Sequence, residues 1–127
     1  MPVPKKHIGD RGEEAIVTYL IEQGWQIVAR QWRCRWGEID VVAMHPQEQI
    51  LAFIEVKTRQ RDNWDGDGSL AITPTKQERL VHSAQAFLAD HSQWQNWQCR
   101  FDVALVRRHG NTYRLTAYVE SAFSETP

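Results

Sequence analysis

Three charged residues interrupt the apolar segments Ile39 to Met44 and Ile50 to Thr58 and are spaced so that they could do chemistry together: Asp40, Glu55 and Lys57. Two arms rich in apolar and β-branched residues, Ile39 to Met44 and Ile50 to Thr58, flank His45-Pro46-Gln47-Glu48-Gln49, so the segment reads as a β-hairpin. Opposed residues of an antiparallel pair have numbers of constant sum, and the midpoint between positions 40 and 55 falls inside that turn. Asp40 and Glu55 are therefore expected as cross-strand neighbours, with Cβ atoms about 5–8 Å apart. Strand alternation sends Glu55 and Lys57 to one face, and Ile54 and Val56 to the other.

Half-burying two carboxylates side by side is unfavourable, because like charges repel and desolvation adds to the penalty. One group that could offset this is a structural ion-pair cluster with Lys57 and Arg59. The other is a hard divalent cation, Mg²⁺ or Mn²⁺, which takes a few carboxylate oxygens and keeps several waters. Asp40 and Glu55 would then be its carboxylates, the Val56 backbone carbonyl a further ligand, and Glu13 one more. Lys57 would orient the attacking water or stabilise charge building on a phosphoryl oxygen, a set of roles that suits in-line phosphodiester hydrolysis. Nucleophilic catalysis competes poorly. Neither Cys34 nor Cys99 shares a recognisable motif with His, and the chain has no Walker P-loop and no Rossmann glycine fingerprint.

The elements that must position these groups follow from periodicity. Ile16, Val17, Leu20 and Ile21 recur at helical spacing and Gly24 is a natural stop, which predicts a helix over about 11–23. Glu13 falls on the same stripe as Ile16, Val17 and Leu20. It is equally suited to a capping box, with Asp10 as N-cap and Glu13 reaching back from the third helical position. Trp25 to Arg33 reads as a first strand, and Gly37 turns the chain into the hairpin. The Ile50 to Val56 arm is apolar on both faces, as in a central strand covered by helix. Thr73-Pro74 starts that helix, and Gln77, Leu80, Val81, Ala84, Phe87 and Leu88 mark one face up to Asp90. Gln60 to Leu70 is polar and reads as a loop beside the site. Cys99 to Val106 and Tyr113 to Val119 read as two more strands, joined at a Gly-Asn turn. The order α-β-β-β-α-β-β is that of an α/β domain with a mixed sheet flanked by helices.

The 127 residues suit one domain, expected over 9–120 between tails at 1–8 and 121–127. Net charge is -1, so a nucleic-acid partner is not advertised globally. Locally, Arg30, Arg33, Arg35, Lys57, Arg59 and Arg61 flank the proposed site, a pattern that permits a polyanion. No apolar run reaches the ~18 residues of a membrane span and the N-terminus lacks a signal-peptide core, so a cytoplasmic protein without membrane contact is expected. Cys34 and Cys99 read as reduced thiols. Glu38 lies two residues from Asp40 and shares its face. Trp36 and Trp64 could stack on unpaired bases, although packing is the commoner role of such residues. Asp102 suits either a further ligand or a structural partner of Arg100. Lys76 and Arg79 could touch phosphates.

These residues carry a family resemblance. Asp40 followed by Glu55-Val56-Lys57 resembles the Asp…Glu-x-Lys signature of the restriction-endonuclease-like, PD-(D/E)XK, nuclease superfamily, with Ile39 where the name has Pro. More narrowly, six blocks resemble the small bacterial YraN family, also catalogued as UPF0102. They are Gly9-x-x-Gly12-Glu13, Trp32-Arg33-Cys34-Arg35, Gly37-Glu38-Ile39-Asp40, Phe53-Ile54-Glu55-Val56-Lys57-Thr58-Arg59, Thr73-Pro74-x-Lys76-Gln77 and Arg100-Phe101-Asp102-Val103. The resemblance implies a restriction-endonuclease-like fold close to that of archaeal Holliday-junction resolvases, and a possible homodimer. It implies Glu13, Asp40 and Glu55 as ligands of Mg²⁺ or Mn²⁺, Lys57 as an aid to hydrolysis and Gln77 as a nearby helix residue. Glu38, Arg33, Arg35, Arg59 and Lys76 are candidates for a second layer or for substrate contacts. The expected activity is metal-dependent endonucleolytic cleavage of branched or structured DNA. Its rivals are a catalytically weak nucleic-acid-binding module of the same fold and a soluble interaction protein with a structural ion-pair cluster.

Overall fold

A computed structural model describes residues 5–60 and 72–124, with side chains described for 11–59 and 72–124. The loop expected at 60–70, with Arg61 and Trp64, lies outside the described residues apart from Gln60, which ends a strand. The elements run α1 (Lys5–Glu22), β1 (Gln26–Cys34), β2 (Gly37–His45), β3 (Ile50–Gln60), α2 (Pro74–Asp90), β4 (Gln98–His109) and β5 (Thr112–Phe123), with one 3₁₀ turn at Ser92–Trp94. The five strands form one sheet in sequence order. Every neighbouring pair is antiparallel except β3 and β4, which α2 connects in parallel. This mixed sheet between two helices agrees with a restriction-endonuclease-like fold.

The two helices cover opposite faces, and strand alternation decides what each one meets. Ile16 and Leu20 of α1 pack on Val41, Ala43, Ala52, Ile54, Ala104 and Val106. On the other face Leu80, Ala84 and Phe87 of α2 pack on Val42, Leu51, Phe53, Phe101 and Val103. Consecutive β3 residues thus serve both layers, which is why that arm is apolar throughout. Helix α2 begins as its sequence predicts: Thr73 is the N-cap, its Oγ1 accepting the Lys76 N–H at 3.2 Å, and Pro74 follows.

Helix α1 differs at its start. It begins at Lys5, so residues 5 to 8 are helical rather than tail, and Asp10 lies inside the helix instead of capping it. Glu13 is consequently too far along to be the third residue of a capping box. It is buried with Ile16 and Leu20, on the stripe that its spacing indicated. At the C-terminal end of the described residues β5 runs to Phe123, three residues into the expected tail.

Gly12 brings α1 close to β3. A Cβ at this position would overlap Oγ1 of Thr58. Gly12→Ala is expected to destabilise the protein by ~1–3 kcal/mol through overpacking. Adding Thr58→Ala removes the obstructing oxygen and should restore most of the loss in a thermal melt. Equal melting points for the single and double variants would refute the contact.

Candidate functional site

The site forms where the sheet comes apart. Paired residues of β2 and β3 run from His45↔Ile50 to Val41↔Ile54, and one further step would oppose Asp40 and Glu55. There the side chain intervenes, and Asp40 Oδ2 accepts the Val56 N–H at 2.8 Å. On its other side β2 pairs with β1 at Arg30↔Val41 and Trp32↔Ile39, leaving Gln31 at the position across from Asp40. Gln31 has φ 50°, a left-handed conformation that a non-glycine residue adopts only where its surroundings impose it. Asp40 therefore sits at a local break in both ladders. The break lies midway along β3, on its β2 side, while β3 stays paired with its parallel neighbour β4 through to Gln60.

A cavity of about 420 Å³ opens on the α2 side of this break. It is lined by Glu38, Asp40 and Glu55 from the sheet and by Thr73, Lys76 and Arg79 among the contributions of α2 and its cap. The Asp40 carboxyl is pushed up from 3.8 to about 8. Burial is the largest cause, followed by the charge of Glu55; the Val56 hydrogen bond acts in the opposite direction, and Glu13 and Glu38 add smaller repulsions. Glu55 is 7% exposed, and its Oε1 is met by Lys76 Nζ at 2.5 Å.

The other expected site residues are distributed around this pair. Glu13 reaches Arg30 (Oε1–Nη2 3.8 Å) and accepts from Gln31 Nε2 at 3.4 Å, and its charge acts on Asp40 from the α1 side. Lys57 shares the strand face of Glu55 but is not among the residues lining the cavity. Gln77 spends its amide on the Ile72 carbonyl at 2.8 Å, holding the approach to α2. Arg33 is exposed and lies 3.6 Å from Glu38, Arg35 stacks its guanidinium 4.6 Å from the Trp36 ring centroid, and Arg59 donates to the Thr58 carbonyl. Trp36 is a cavity wall and stacks on His82 of α2, with centroids 4.5 Å apart. Ser83, Thr73 and Thr75 line the cavity without having been expected there. For Ser83 a signal existed: it is a hydroxyl on the buried face of α2, where it accepts from Cys34 Sγ at 3.4 Å.

Asp102 is settled as structural. It is 1% exposed, lies on the α1 face, and accepts from Arg100, the Tyr118 hydroxyl at 2.6 Å and the Ser121 N–H at 3.0 Å. Burial opposes the Arg100 charge, but hydrogen bonds and attraction from Asp102 more than offset it. Burial also raises the Tyr118 phenol, with Asp102 adding to the effect. Cys34 and Cys99 are free thiols.

Comparison with known proteins gives the family of the chain. The Uncharacterised protein family UPF0102 matches residues 12–106, a span that begins at the Gly12–Glu13 corner and includes the hairpin and α2. The chain belongs to the UPF0102 family. UPF0102 protein tll1737 of Thermosynechococcus vestitus is 50% identical over 119 residues, covering 94% of this chain and 95% of the relative. A UPF0102 protein of Synechococcus sp. strain JA-3-3Ab is 49% identical over 122 residues, covering 93% of this chain and 92% of the relative. UPF0102 protein alr1796 of Nostoc sp. is 41% identical over 131 residues, covering 92% and 94% respectively.

The donor set of this UPF0102 chain discriminates between cations. Among the described residues no group of three or more His, Cys, Asp or Glu side chains is arranged to hold a metal ion. Glu13 acts on Asp40 by its charge. A soft or tetrahedral metal finds no ligand set here. The Asp40–Glu55 pair suits a hard cation held by one or two carboxylates and solvent. An extended residue sends its N–H and C=O to the same side, so the Val56 carbonyl points towards β2, as its N–H does.

Proposed function

We propose that this UPF0102 protein is a Mg²⁺- or Mn²⁺-dependent nuclease that hydrolyses phosphodiester bonds in branched or structured DNA. One observation carries the reading: Asp40, half-buried, and Glu55, buried, are held together at the break between β2 and β3, where Asp40 is pushed up to about 8. Such a repulsion costs a sheet stability unless a cation relieves it. Asp40, Glu55 and the Val56 carbonyl would hold the ion. When bound, it would supply Lewis-acid polarisation of a phosphoryl oxygen and a nucleophile available at neutral pH. Lys57, two residues beyond Glu55, stabilises charge that builds on the phosphoryl group. Arg79 at the cavity, with exposed Arg33 nearby, attracts the flanking phosphates. No helix among the described residues is long and apolar enough to cross a membrane.

The Lys76–Glu55 ion pair favours a second reading, a binding module of the same fold in which a lysine takes the place of the cation. Labelled flap, junction, single-stranded and duplex DNAs incubated with the protein in Mg²⁺ or Mn²⁺ separate the two. The nuclease reading expects cleavage of branched substrates, lowered at least ~100-fold by Glu55→Gln. Salt-sensitive binding without cleavage across the panel would establish the module instead.

A further inference from the structure

We infer that Lys76 is a built-in counter-cation: its ammonium occupies the carboxylate site in the metal-free protein, a divalent ion must displace it, and the displaced ammonium then faces the anionic substrate. The inference rests on the metal-site reading above and goes beyond it by assigning a second, exchangeable state to that site.

Four observations combine. Lys76 Nζ lies 2.5 Å from Glu55 Oε1, close enough to be its principal counter-charge. The two partners differ in freedom, since the Glu55 side chain is 8% exposed and that of Lys76 is 51% exposed. Buried Glu55 is fixed on β3, whereas Lys76 reaches in from solvent on a flexible four-carbon stem. Lys76 also stands in the first turn of α2, where the helix dipole disfavours a cation, and that turn holds no acidic residue to offset it. Helix stability therefore does not account for a lysine here, whereas the charge of Glu55 does. Finally, Lys76 lines the same cavity as Asp40, Thr73, Thr75 and Arg79, so an ammonium leaving Glu55 stays within that cavity.

An ammonium and a divalent cation cannot both occupy the same face of one carboxylate, because they repel each other at the distances at which each binds. Lys76 therefore weakens metal binding by competing for Glu55. Once displaced, it places a positive charge beside Arg79, at the position a substrate phosphate must enter. Metal arrival and substrate attraction are in this way coupled through one side chain.

Isothermal titration with Mn²⁺ tests the exchange without reference to turnover. Lys76→Met is expected to tighten Mn²⁺ binding ~10-fold, and Lys76→Arg to keep wild-type affinity. Arg79→Met, which removes a charge from the same helix without removing a partner of Glu55, should leave the affinity within about 2-fold. Equal tightening in the Lys76→Met and Arg79→Met proteins would reduce the effect to a general field, and unchanged affinity in Lys76→Met would end the proposal while leaving the metal site standing. If neither wild type nor Lys76→Met binds Mn²⁺, both the proposal and the site reading fall. A metal-free readout runs in parallel. In chelator, Lys76→Met should melt below wild type and Glu55→Gln/Lys76→Met should recover, since the buried charge left behind is then gone. Absence of that recovery would also overturn the inference.

Discussion

Asp40→Asn is expected to make the metal-free protein more stable while abolishing Mn²⁺ binding and cleavage. The amide keeps the acceptor for the Val56 N–H and removes the charge that Glu55, Glu13 and Glu38 oppose. The sign follows from linkage. Folding raises the Asp40 pKa from 3.8 to about 8, so over that range the native state holds a proton that the unfolded chain has lost. The resulting destabilisation is absent below the ordinary carboxylate range, grows as the pH rises and is complete above about 8. The gain from Asp40→Asn should accordingly be near zero at pH 4 and reach ~2–4 kcal/mol at pH 8 in chelator. For a domain of this size that is a rise of roughly 10 °C in Tm. Saturating Mn²⁺ stabilises the wild type alone and closes the gap. A variant that melts below wild type at pH 8 in chelator would mean that Asp40 is a well-compensated structural group.

Asp102→Ala should do the opposite, destabilising the fold by ~3–5 kcal/mol. Arg100, with only 11% of its side chain exposed, would be left with its charge and without its bidentate partner. The Tyr118 hydroxyl and the Ser121 N–H would lose their acceptors as well. Urea denaturation measures this as a lower midpoint with an unchanged slope. Cleavage per folded molecule should be preserved, because Asp102 faces α1 and the cavity lies on the side of α2. A loss under about 1 kcal/mol would show that the network is not what holds the β4–β5 end together. The two aspartates thus separate two uses of a carboxylate withdrawn from water, Asp102 fully and Asp40 in part. Asp102 is surrounded by donors, whereas among the described residues Asp40 has one donor, the Val56 N–H, and faces three other carboxylates.

Much of the site could be read from the chain because it depends on periods internal to single elements. The constant sum across the hairpin placed Asp40 opposite Glu55, and the structure has the same register one step away at Val41↔Ile54. The helical stripe set Glu13 beside Ile16 and Leu20, and burial follows that stripe. The Thr73-Pro74 pair marked the start of α2. Of the two readings open for Glu13, the cap at Asp10 does not form, because a good local cap signal does not stop a helix from continuing towards its N-terminus, and α1 continues to Lys5.

What the sequence by itself determined, then, is the order of elements, the face each residue presents and the pairing of two carboxylates across a turn. These are local properties, set by side-chain alternation and helical repeat. Tertiary structure alone decided which side chains from different elements meet. Lys76 on Glu55, Gln31 on Glu13 and Tyr118 on Asp102 join elements whose separation in the chain carries no information about distance. Their contacts arise from how α1 and α2 pack on opposite faces and from where the β2–β3 ladder opens. Only that packing converts two awkward carboxylates into a cavity with its own counter-cation.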